Sequence, residues 1–475
     1  MRYPASLANR WLKIKPVTEQ DQPPGPELSR IAWVASSRID SARNERRPIY
    51  RIPPEVLAMI VEFRQSERFE NYHPKGYEWV CLMLVSHMWK TTILSFPSIW
   101  SKLVMSASIS QSGMATVVER SGSHPLQVVI PPPELESVYP KSIRYKHVSL
   151  IIGLLPRISK LSIVTRSVFD TLRICDAFEG CRADRLERLN FIGFPGLGEL
   201  FALDSPQLRF LYLCRVDSWP ARTAENLTHV HLGGNMNPDT LERDLKHSPG
   251  LQEIRIENVY QVPERVGDYP KIRLAPGVRL VITSSQNTVA SLFVLETSNS
   301  LSIKTTNIAI ASIPITSFLR FALPRDLSRF RNLDNLTKVH LKLLDSGEGT
   351  SSRTARTVTV FLRCSTADRE MLHVEVDYIL SCPQSSNTLE GEVITERPPA
   401  MRALNYLRPL DLKKVVELKM EGFVREWGLQ SFELRHFLQF MPALKRIATA
   451  DDNERIFQVA LNAMERNASV TVEGV

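Results

Sequence analysis

The chain has 475 residues, of which 43% are hydrophobic and 23% charged, with a formal net charge of +8. This composition excludes a disordered or fibrous chain, and the length suits about two to four domains, or one domain plus an array. The 59 Lys and Arg are spread against 51 Asp and Glu, so the basic balance is not a nucleic-acid footprint. One modest cluster, Arg38, Arg43, Arg46, Arg47 and Arg51, reads as a solvated lead-in to a helix.

Six cysteines are scattered without a CxxC pair, which argues against a zinc knuckle and a disulfide framework. No secretory signal is evident in the first residues. The longest apolar run, Val148 to Leu155, falls far short of the roughly 20 residues that span a bilayer. A cytoplasmic or nuclear setting is therefore expected, with no membrane and no nucleic-acid partner.

Residues 1–47 contain Gln22-Pro23-Pro24-Gly25-Pro26, a poor core former, and read as a tail or linker with room for a short helix. Next comes Ile52-Pro53-Pro54-Glu55-Val56-Leu57. Prolines at a first turn sacrifice no useful N–H, and Glu55 suits the positive helix end. Val56, Met59, Ile60 and Phe63 recur at helical spacing as one apolar face, with Leu57 beside it. A second helix is expected from about Trp79 to Leu94, with Leu82, Val85, Met88 and Trp89 as its stripe and Cys81 as a small core residue. Phe96-Pro97-Ser98-Ile99-Trp100 then ends it.

This order of motifs resembles an F-box, and most closely the F-box-like domains of the mushroom-type (agaricomycete) fungal family. The matching positions are Ile52, Pro53, Glu55, Leu57, Ile60, Val85, Ser86, Trp89, Pro97 and Trp100. Arg120-Ser121-Gly122 followed by Pro125-Leu126 is similar to the step that follows the F-box in that group. Ile52 stands where Leu is usual, and Arg64 to Tyr77 is a long polar interruption between the helices. The resemblance implies a helical module over residues 48–106 that docks on the Skp adaptor of an SCF-type cullin ubiquitin ligase. The adaptor-facing residues it implies are Ile52, Pro53, Pro54, Leu57, Ile60, Val85 and Trp89. Trp89 and Trp100 suit the module's own core equally well.

Residues 107–475 carry a repeated apolar pattern. Ile158-x-x-Leu161-x-Ile163 is followed by the same signature at Leu186, Leu208, Leu227 and Leu251, in steps of 28, 22, 19 and 24 residues. Leucine-rich repeats run about 20–29 residues with a short strand at this signature. The pattern returns at Leu336 and Val415, and Asn453 to Asn467 reads as a closing helix. The expected fold is thus α/β: a small helical F-box module, then an irregular leucine-rich-repeat-like solenoid.

No catalytic constellation is present: no phosphate-binding loop, no nucleophile elbow and no HExxH helix. Neither a cofactor nor a metal site is expected, and the chain reads as a non-enzyme. The polar alternates of the repeat strands, including Glu187, Arg188, Arg209, Tyr212, His229, His231, Arg255 and Glu257, are candidates for binding a target protein. The reading is a substrate receptor whose F-box recruits adaptor and cullin while the repeats hold the target. The alternative left open is a non-catalytic repeat scaffold whose F-box-like segment no longer recruits a ligase.

Overall fold

A computed structural model of the chain describes residues 48–70, 78–105, 109–131, 142–165, 167–199, 203–219, 225–234, 238–257, 272–283, 292–296, 298–309, 330–345, 355–367, 369–381, 410–421, 431–449, 451–464 and 469–474. The tail expected over residues 1–47 lies outside them. The chain divides into two compact units, one of residues 1–211 with 219–224, the other of 212–218 with 225–475.

The first unit opens with helix α1 (Pro54–Glu70). Its first N–H groups are taken up by Pro53, whose carbonyl accepts from Val56 N at 3.0 Å and Leu57 N at 3.2 Å. The expected long second helix is instead a 3-10 segment (Glu78–Leu84) followed by α2 (His87–Ser95). The break is chemical. The Ser86 side chain accepts from Trp89 N, so a new helix starts there. Strand β1 (Lys102–Val104) follows directly and pairs in parallel with β2 (Leu126–Ile130), Leu103 opposite Val128. The helical segment runs straight into a sheet. That sheet continues through β3 (Ile158–Val164) and β4 (Arg188–Glu199), all parallel. Parallel neighbours cannot be joined by a tight hairpin. The crossovers are α3 (Gln111–Arg120), α4 (Ser142–Leu154) and α5 (Val168–Phe178).

In the second unit β5 (Phe210–Ser218, belonging here from Tyr212), β6 (His229–Gly233) and β7 (Glu253–Glu257) lead a larger sheet. Helix α6 (Pro238–Lys246) bridges β6 and β7. A short parallel pair, β8 (Ile272–Arg273) with β10 (Phe293–Val294), stands apart from it. The main sheet goes on through β9 (Arg279–Thr283) and β11 (Ser300–Ala309). A meander of β12 (Lys338–Asp345), β13 (Ala355–Ser365) and β14 (Glu370–Ser381) then inserts with β14 against β11. β13 is antiparallel to both its neighbours, which makes the sheet mixed. β15 (Glu417–Glu421), α7 (Ser431–Leu438), β16 (Arg446–Thr449), α8 (Asp451–Asn462) and β17 (Thr471–Gly474) complete it. The expected closing helix is therefore followed by one more parallel strand, Ile447 opposite Val472.

The repeated apolar signature is the buried side of these strands. Val230, Ile254 and Leu280 lie opposite one another, as do Leu232, Ile256 and Ile282. In several signatures the first position closes a tight turn: Leu186, Leu208, Leu251 and Val415 each donate their N–H to the carbonyl three residues back, as does Leu444 ahead of β16. That turn leads the chain into the strand and buries its leading side chain. Because Leu418 is completely buried and Phe63 is 75% exposed, their truncations should separate. Leu418→Ala is expected to lower unfolding free energy by about 2–5 kcal/mol, and Phe63→Ser to change it by less than about 0.5 kcal/mol. Urea unfolding followed by circular dichroism checks both.

Candidate functional site

The helical motif residues have distinct fates. Trp100 and Trp89 are core. Trp100 donates from Nε1 to the Ile93 carbonyl at 2.7 Å and meets Trp79 edge to face at 5.2 Å. The guanidinium of Arg120 lies over the Trp100 ring at 4.6 Å, and its partial burial lowers the guanidinium's proton affinity. The next residues of that step are equally structural. Ser121 is buried, and Gly122 takes a left-handed φ of 54°, which a side chain would strain. Arg157 donates to both the Ser121 hydroxyl and the Gly122 carbonyl.

Of the residues expected to face an adaptor, Pro53, Pro54, Ile60 and Val85 are exposed and Ile52 is half-buried. Leu57 and Trp89 are not on the surface. Leu57 is completely buried with Ala58 and Val61, and Trp89 packs inside. Cys81, expected in the core, is exposed. The exposed side of α1 is the stripe of Val56, Met59, Ile60 and Phe63. Both sides of this helix are apolar, so the pattern alone does not say which is covered. The neighbouring elements take Leu57 and Val61 and leave Met59 and Phe63 to solvent. Leu84 and Val85, at the end of the 3-10 segment, are also more than half exposed.

The second candidate surface is the polar side of the strands in the second unit. Tyr212 and His231 meet edge to face at 4.4 Å, and His231 Nε2 lies 2.9 Å from Glu257 Oε2. Arg255, opposite His231 in the register, reaches Glu253 at 3.6 Å. His229 sits against the Thr228 hydroxyl at 2.9 Å. Tyr212, His231, Arg255 and Glu257 thus come together as alternation requires, whereas Arg209 belongs to the first unit, as do Glu187 and Arg188. Gly233 adjoins this group, since a Cβ there would stand 3.2 Å from Cys214 Sγ. At Gly234, with φ 89°, a Cβ would meet Arg215, itself left-handed at φ 63°.

Further along the same face, β12, β15 and β16 carry a denser ionic group that the sequence pattern contains but does not single out. Glu417 is flanked by Lys338 at 3.5 Å and Arg446 at 2.7 Å. Glu421 is flanked by Lys342 at 3.1 Å and Lys419 at 2.6 Å, with His340 at 3.5 Å. The hydrogen bond from Lys419, aided by Lys342, brings the Glu421 carboxyl down to about 2 against the cost of burial. For Glu417, burial pushes upward, but Arg446 and Lys338 outweigh it and hold the carboxyl below its ordinary value. His231, His340 and His373 go the other way, because burial outweighs their glutamate neighbours and keeps them neutral.

Among the described residues no group of three or more His, Cys, Asp or Glu is placed to hold a metal ion, and no helix is long and apolar enough to cross a membrane. No protein-family model, no curated protein and no solved structure matches the chain. The arrangement on both surfaces is one of contact and charge.

The pH dependence of folding follows in sign from these groups. A histidine lowered from 6.5 leaves the unfolded chain to take the proton first, so stability is full above that value and falls as pH drops below it. The carboxylates at 417 and 421 stabilise above 4.5, and that contribution disappears as pH falls toward 2. Urea midpoints measured across the acid range are expected to fall in these two stages. Glu421→Gln should make the lower stage shallower, leaving the part due to Glu417, and make the upper one steeper, because the charge that opposes the lowering of His340 is gone.

Proposed function

We propose that this chain is a non-catalytic receptor that joins an SCF-type ubiquitin ligase to a target protein. In this reading the segment around α1 is an F-box that docks on a Skp-type adaptor and thereby on a cullin, and the strand array is a leucine-rich-repeat-like solenoid that holds the target. The observation that carries it is the uncovered stripe of Val56, Met59, Ile60 and Phe63, at 42%, 65%, 44% and 75% exposure. Full burial of one such side chain contributes about 1.5–3 kcal/mol. Leaving four of them in water on one helix face is the signature of a surface completed by a partner. Pro53, Pro54 and Val85 are exposed as well, and in this reading they take part in docking. Leu57 and Trp89 support it from inside, by fixing α1 and α2.

A second reading has its own support. Leu57 is core and the second helix is only nine residues long, which suits a segment that has become part of the fold. The chain would then be a repeat scaffold that recruits no ligase.

The two separate in one experiment. The full chain is co-expressed with a Skp-type adaptor, wild type beside a Met59→Asp/Phe63→Asp variant. Both substituted residues are exposed, so circular dichroism is expected to report an unchanged fold. A stoichiometric complex with the wild type that the variant loses supports the receptor. A folded wild type that elutes without adaptor transfers the case to the scaffold. Leu57→Asp is unsuitable as a probe, since it places a charge in the core.

A further inference from the structure

The polar face of the second unit is not uniform in depth. β12, β15 and β16 are parallel and in register: Lys338, Glu417 and Arg446 form one row, and Lys342 with Glu421 another. Between these rows stand His340, Lys419 and Ala448. Each carboxylate is shared by two cations, Glu417 by Lys338 and Arg446, Glu421 by Lys342 and Lys419. Four cations against two carboxylates leave an excess of +2.

Depth sharpens this excess. The side chains of Glu417 and Glu421 are 20% and 24% exposed, whereas those of Lys338, Arg446, Lys342 and Lys419 are 46%, 48%, 39% and 35% exposed. The carboxylates lie close to the sheet and the cations stand above them. An approaching molecule meets ammonium and guanidinium groups first. Glu473 on β17, opposite Ala448, and Arg363 on β13, opposite His340, stand on the neighbouring strands to either side.

We infer that the outer face of β12, β15 and β16 binds an extended acidic peptide segment lying along the strands, with two carboxylates four residues apart. The spacing comes from β15 itself. Positions 417 and 421 are four residues apart, about 13 Å in a strand, and an extended peptide brings its residues i and i+4 to the same separation. Each peptide carboxylate then takes the charge left over at one shared site. A single-stranded nucleic acid fits less well. No Phe, Tyr or Trp occurs in these three strands to stack a base, and the row between the two sites offers the neutral His340. The inference deepens the receptor reading and rests on it only for the idea that this face holds the target.

The test uses the full chain and fluorescence anisotropy at low salt. The probe is a labelled Gly/Ser peptide with two Glu four residues apart, beside its Gln counterpart and a labelled oligothymidine. The wild type is expected to prefer the Glu peptide by about tenfold, with the preference disappearing as salt shortens the screening length. Lys342→Ala/Arg446→Ala should remove most of it. Glu417→Gln should tighten binding by about threefold, because it frees Lys338 and Arg446. A purely structural role for the ion pairs predicts no such tightening. Equal binding of the Glu and Gln peptides, an unaffected double variant, or tighter binding of the oligothymidine overturns the inference. The adaptor experiment is independent. A chain that takes the adaptor but no acidic peptide loses this inference alone, and one that takes the peptide without the adaptor loses the ligase alone.

Discussion

The register of Val230 on Ile254 and of Leu232 on Ile256 is the constraint that the second unit is built on. Two inward side chains per strand meet the same two positions of the next strand. From β9 to β11 the partners are Leu280 with Leu301 and Ile282 with Ile303. A slip of one residue would turn every buried side chain out and every charge in. Loop length and crossover length vary widely between strands, yet the two apolar rows do not shift.

The antiparallel insertion shows how strong this requirement is. β13 runs against both neighbours, yet Leu362 lies between Leu341 and Val374, and Cys364 between Val339 and Leu372. The direction of the chain reverses while the apolar rows continue. Cys364 is completely buried there, and desolvation pushes its thiol well up, so it behaves as a small apolar residue. The same register sets the outer face. When the inward positions coincide, the outward ones coincide too, and charges on adjacent strands are brought within reach of one another. The ion pairs around Glu253, Glu417 and Glu421 are a consequence of the core.

In the first unit the decisive contacts are aromatic. Trp100 holds the edge-to-face contact with Trp79 and the Arg120 guanidinium over its ring, and Gln65 reaches from α1 to the Ile99 carbonyl at 2.8 Å. These contacts orient α1 so that Leu57 and Val61 point inward, which leaves Met59 and Phe63 outward. The apolar stripe available to a partner is thus the remainder after the core has been satisfied.

Much of this was legible in the sequence. Pro53-Pro54-Glu55 marks a helix start and the spaced leucines mark strands, because each of these signals is local: a fixed dihedral, a period; the cap at Ser86, which splits the expected second helix, was read through. Alternation likewise placed Tyr212, His231 and Arg255 on one polar face. Which side of α1 is covered was not legible, since both sides are apolar and only packing against distant residues distinguishes them. Nor was the reversal of β13, or the pairing of Lys338 with Arg446 around Glu417, whose residues lie far apart in the chain and meet only through strand order. The sequence determined that these elements form and which of their residues turn inward within a strand, because backbone geometry and local hydrogen bonding decide both. Tertiary structure alone decided which surfaces were left over, because exposure is a property of what packs beside a residue and not of the residue itself.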